Sequence, residues 1–134
     1  MQPAATPRIF CFRPAWMLAG LMLVALAIRP AGAAQPPYDK DLLRLSEILG
    51  AVHYLRTLCK APDGAAWRLK MEALIEAEKP SPTRKRRMIA RFNLGYRSFE
   101  QTHRSCTAQA AEAANRYVEE GATLARRLTA RYGR

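Results

Sequence analysis

The sequence predicts an all-α fold: a small bundle of about four helices pinned by one disulfide. Three observations predict it. Apolar residues recur at helical spacing in four segments split by turn chemistry. Neither the Val/Ile/Thr-rich alternation of strands nor a hairpin turn occurs. Beyond the first 34 residues the cysteines that remain are Cys59 and Cys106, an even pair suited to one bridge.

The first 34 residues stand apart from the bundle. Arg8 and Arg13 form a positive start, Trp16 to Ile28 an uncharged apolar run, and Ala31-Gly32-Ala33 a set of small residues. That order is the secretory signal pattern. Cleavage is expected after Ala33 or Ala34, leaving 35–134 as a single helical domain. The competing reading is an uncleaved anchor. Against it, the run between Arg13 and Arg29 falls short of the ~20 residues a spanning helix needs. No twin-Arg pair precedes the run and no lipid-accepting Cys follows it.

The first helix is expected from about Asp39 to Cys59, with Leu42, Leu45, Ile48, Leu49, Val52, Leu55 and Cys59 on one face. Leu43, Tyr54 and Leu58 occupy its other side, so this helix should be central. Pro62-Asp63-Gly64 ends it. A short second helix follows, about Ala65 to Glu78, with Trp67, Met71, Leu74 and Ile75 as its stripe. The third, about Pro82 to His103, is capped by Ser81 with Pro82 at its first position. Met88, Ile89, Phe92, Gly95, Tyr96 and Phe99 form its apolar face. The fourth runs from about Ala108 to Tyr132, with Thr107 as cap and Gly133 as stop. Gly95 and Gly121 both fall on core faces, where small residues let backbones approach closely.

In an up-and-down arrangement the first and third helices run parallel, which brings Cys59 and Cys106 to the same end. An oxidising compartment makes pairing the expectation, with two buried thiols as the alternative. The bridge closes a loop of about 48 residues, worth on the order of 4 kcal/mol. An irregular array with the short second helix packed across remains open.

Charge is uneven. The formal net charge is +11, and loss of Arg8, Arg13 and Arg29 with the signal leaves +8. Lys79, Arg84, Lys85, Arg86, Arg87, Arg91, Arg97 and Arg104 crowd one segment, where Glu100 is the sole acid. At about 100° per residue, Arg86, Arg97 and Arg104 share one edge of the third helix and Arg84, Arg87 and Arg91 another. The six arginines are candidate anion-docking residues, since the guanidinium fork suits phosphate and carboxylate. The plainer reading is a solvated face that keeps the domain soluble. A membrane-surface helix with Phe92, Tyr96 and Phe99 opposite the cations is a variant, but those aromatics fit a core equally well. So basic a domain suggests nucleic acid, and export argues against that.

No catalytic, cofactor or metal motif is recognisable. His53 and His103 lack metal-ligand spacing. Ser46, Ser81, Ser98 and Ser105 lie outside any nucleophile elbow. Glu72, Glu76, Glu78 and the pair Glu119-Glu120 read as solvated faces.

The segments YDKDLLRLSEILGAVHYLRTLC (Tyr38 to Cys59), FNLGYRSFEQTHRSC (Phe92 to Cys106) and RYVEEGATLARRLTARYG (Arg116 to Gly133) resemble an uncharacterised family of small secreted alphaproteobacterial proteins, assigned to a domain of unknown function. The resemblance implies a Gram-negative periplasmic protein and carries over no activity. The expected function is a non-enzymatic periplasmic interaction domain. Its basic helix, 79–104, would dock to an envelope protein or an anionic envelope component, peripheral membrane association included. The alternative is a small enzyme or enzyme accessory with a site between helices.

Overall fold

The computed structural model describes residues 35–133, so the expected signal peptide and its expected cleavage point lie outside the described residues. The domain is a bundle of four α-helices: α1 (Asp39–Leu58), α2 (Ala66–Glu78), α3 (Pro82–Thr102) and α4 (Ala108–Tyr132). Among the described residues there is no strand, and no helix is long and apolar enough to cross a membrane.

Local chemistry sets the helix ends. Asp39 and Asp41 place negative charge in the first turn of α1, where the exposed N–H groups favour it. The other end of α1 is a Schellman closure: Lys60 N–H donates to the Thr57 carbonyl and Ala61 N–H to that of Arg56. Lys60 takes φ 51 there, a conformation more often given to glycine. Lys79 ends α2 in the same left-handed region and donates to the Ile75 carbonyl. The Ser81 hydroxyl accepts from the Arg84 N–H, and the Thr107 hydroxyl from the Ala110 N–H, as their positions predicted. Gly133 does end α4, yet in an extended conformation that makes no use of glycine's freedom.

The hub is α1, against which the other three helices pack. Leu42, Ile48, Val52 and Leu55 are fully enclosed, each burial stabilising by about 1.5–3 kcal/mol. Helix α3 runs parallel to α1. Asp39 meets Arg84 near the N-terminal ends, and Cys59 meets Cys106 at the other. Midway the two backbones touch. A Cβ placed on Gly50 would lie 1.9 Å from the Phe92 carbonyl oxygen, and one on Gly95 would lie 2.0 Å from that of Glu47. Gly95 thus acts as its position suggested, while Gly50, unnoticed in the sequence, is its counterpart. Helix α4 runs antiparallel to α1, with Gly121 against the Ile48 side chain and the Tyr132 ring packed at a tilt against Tyr38. The third and fourth helices meet through side chains, Phe99 edge-on to Tyr117.

The short α2 lies on α1 and buries a single residue, Met71, while Trp67, Leu74 and Ile75 cover the edge of the core. Its approach is fixed by Asp63, which accepts from both Arg56 and Trp67 Nε1. His53 is half-buried, and its Nδ1–H donates to the Gly64 carbonyl at 3.0 Å. The Cys59–Cys106 disulfide closes the far end with a Cα separation of 4.9 Å. Beside it the Tyr54 hydroxyl donates to the His103 carbonyl.

Candidate anion-docking face

The basic segment divides once α3 is seated on α1. Arg84, Arg87 and Arg91 emerge on the flank that faces α1. Asp39 accepts from Arg84 Nε on one carboxylate oxygen and from Arg87 Nη2 on the other, both at 2.6 Å. Glu78 of α2 approaches Arg84 Nη1 at 3.3 Å, and the guanidinium lies over the Tyr38 ring. Arg91 reaches Glu47 at 3.3 Å. Burial pulls the Arg84 guanidinium toward its neutral form, but its bonds to Asp39 and Tyr38 and the charges of Glu78 and Asp39 outweigh that, and its pKa is raised.

Glu47 also holds Arg44, which forks onto both oxygens of Glu120 at 2.8 and 3.0 Å. The Glu120 bond is the main cause of a raised Arg44 pKa, against the opposing effect of burial. One chain of charges, Arg91–Glu47–Arg44–Glu120, therefore links α3 through α1 to α4. Half of the six candidate arginines serve the fold in this way. Counting charges along the segment hid this, because the acids that oppose them come from α1 and α2.

The remaining cations face outward. Arg86 lies on the side of α3 opposite Met88 and Gly95, is exposed, and bonds only to the Thr83 hydroxyl. Arg97, three turns on, shares that side, about 16 Å away along the axis. Lys85 is exposed beside it. None of the three has an ion-pair partner among the described residues. Arg104 is also exposed, but it does not lie on the helical edge where uniform spacing put it. The helix stops at Thr102, with His103 extended at φ −122, so Arg104 sits in the turn that leads to Cys106.

One other feature is less suited to a site. A groove of about 680 Å³ runs between α2 and α4, floored by Leu42 and Leu45 and walled by Leu74 and Leu128. At its rim Glu78 is already bonded to Arg84. Among the described residues no three His, Cys, Asp or Glu side chains converge.

No curated protein and no solved structure matches the chain. Residues 37–132 match a family described as proteins of unknown function, DUF2385. That stretch holds all four helices and both cysteines of the bridge, and the chain belongs to the DUF2385 family.

Proposed function

We propose that this is a secreted, periplasmic, non-enzymatic domain of alphaproteobacterial type that docks to an anionic component of the cell envelope. The docking face is the outer side of α3. One observation carries the reading: Lys85, Arg86, Arg97 and Arg104 stay exposed and without acidic partners, while their neighbours Arg84, Arg87 and Arg91 are neutralised from within. A face that only kept the domain soluble would need no such segregation of paired from unpaired arginines. The signal-like leader supports export, and export leaves lipid headgroups, surface polysaccharides and acidic proteins as the available polyanions.

The test is co-sedimentation of the purified, oxidised protein with isolated envelopes at low and high salt. The variant to compare carries Arg86, Arg97 and Arg104 replaced by Gln. Arg87 and Arg91 stay untouched because they hold the fold. Binding that weakens with salt, and that drops about a hundredfold in the variant at roughly 1 kcal/mol per cation near an anionic surface, is the expected result. Equal pelleting of variant and wild type at low salt would show that the outer face has no part in docking.

A further inference from the structure

We infer that the anionic component is a phospholipid bilayer, on which the three turns of α3 from Arg86 to Arg97 lie flat. This rests on the docking reading above and gives it a partner. The large apolar side chains exposed among the described residues are Leu69, Ile89, Leu94 and Tyr132. Two of these lie between Arg86 and Arg97. Ile89, which the sequence placed in the core stripe, is 40% exposed, and Leu94 is 49% exposed.

At about 100° per residue, Arg86 and Arg97 point the same way to within about 20°. Ile89 stands about 70° to one side of that direction and Leu94 about 70° to the other, with Ala90 and Asn93 between them. The patch therefore has a small, neutral centre, aliphatic shoulders, and a guanidinium at each end. Phe92, Tyr96 and Phe99, the aromatics of the membrane-surface variant, point into the bundle instead.

A bilayer suits this patch better than a protein does. The patch is the convex ridge of one helix. Protein interfaces draw most of their affinity from aromatic and Arg anchors seated in pockets, and this ridge has no exposed aromatic residue. A lipid surface needs no complementary pocket. Leucine and isoleucine reach the acyl boundary while arginine stems carry their charge back to the phosphates. Opposing charge is sparse: Glu100 is the one acid on α3, half-buried one turn past Arg97, and Glu72 of α2, across a small cleft from Ile89, already pairs with Arg68.

Flotation with vesicles of phosphatidylcholine, with and without one third phosphatidylglycerol, tests the inference on protein expressed from the full-length chain and purified as processed. Binding should require the anionic lipid. Arg86→Gln with Arg97→Gln should weaken it about twenty-fivefold, at about fivefold per cation. Ile89→Asn with Leu94→Asn should weaken it about tenfold; both sites are exposed, and unchanged circular dichroism would confirm an intact fold. Arg126→Gln with Arg127→Gln on α4 removes the same charge elsewhere and should leave binding unchanged. If the α4 variant falls as far as the α3 variant, or the Asn variant binds like wild type, the inference is overturned. If wild type ignores both vesicle types yet pellets with envelopes in a salt-sensitive, Arg86- and Arg97-dependent way, the bilayer is the wrong partner and the docking reading stands. If it binds neither vesicles nor envelopes, both readings fall.

Discussion

Replacing Gly95 by Ala tests the feature on which the α1–α3 pairing depends. The added Cβ would sit 2.0 Å from the Glu47 carbonyl oxygen, 2.9 Å from its carbon and 3.0 Å from the Ala51 nitrogen, all backbone atoms. Ordinary contact begins near 3.4 Å, so the helices must part by about 1.4 Å at that level. The ends of the pair cannot follow easily, because Asp39 holds Arg84 at one end and the disulfide fixes the other. A gap of that size forfeits a large share of the dispersion contacts around Met88 and Phe92, and overpacking typically costs about 1–3 kcal/mol or somewhat more. Ala is favoured over Gly in a helix by about 1 kcal/mol, which offsets part of this. We expect a net loss of about 2 kcal/mol. Urea unfolding followed by circular dichroism should then show a midpoint lower by about 1 M, at a slope near 2 kcal/mol/M. Gly121→Ala is the control, since its Cβ would meet the Ile48 side chain at 3.0 Å rather than backbone, and its stability should stay within about 1 kcal/mol of wild type. Stabilisation of Gly95→Ala by the full propensity difference would refute backbone contact between α1 and α3.

Two further predictions concern the charge network and the bridge. Asp39→Asn should cost about 3 kcal/mol, because the Arg84 side chain, only 11% exposed, loses the nearer of its two anions and keeps only Glu78 at 3.3 Å. Arg91→Gln should cost under about 1 kcal/mol, since Arg91 is 49% exposed. Thermal unfolding of both variants checks the contrast, and similar losses would contradict the division into inner and outer arginines. Replacing Cys59 and Cys106 by Ser should remove about 4 kcal/mol while leaving native helicity intact, because the Tyr54 bond to His103 still spans that end. A loss below about 1 kcal/mol in chemical denaturation would mean the bridge does not constrain the unfolded chain.

The elements were legible in the sequence because each carried its own punctuation. The periodicity of α1 marked it as the hub, and Ser81, Pro82 and Thr107 announced two helix starts within a residue. The pairing of Cys59 with Cys106 was expected from an even pair in an exported chain, and helix order was compatible with it. What escaped were facts that depend on a second element. Gly50 lies mid-helix among larger apolar residues, and only the register of α3 gives it a partner. The roles of Asp39 and Glu47 were hidden because they lie more than 40 positions from the α3 arginines they hold. A cue did exist: Arg84, Arg87 and Arg91 flank Met88 and Gly95 on the wheel, so their heads had to meet whatever those residues packed against. Arg104 was misplaced because helical spacing was carried two residues past the end of the helix.

The two arginine sets impose opposite demands on α3, and the domain reconciles them. A helix carrying so many cations would repel itself along its length, yet it must also lie within backbone contact of α1. Asp39 and Glu47 meet both requirements. They neutralise the arginines nearest α1, and they tether α3 where the glycine contact leaves no room for bulky side chains. On α3 itself, unpaired positive charge is thereby left on the outer side, at Lys85, Arg86 and Arg97, with Arg104 just beyond its end. Loss of Asp39 should then do more than destabilise the domain. Arg87, already 37% exposed in the pair, would be free to swing outward and add its charge to the docking face. In Asp39→Asn protein that still folds, envelope binding should therefore hold or rise while stability falls. A parallel fall in both would mean that docking needs the inner network as well as the outer face.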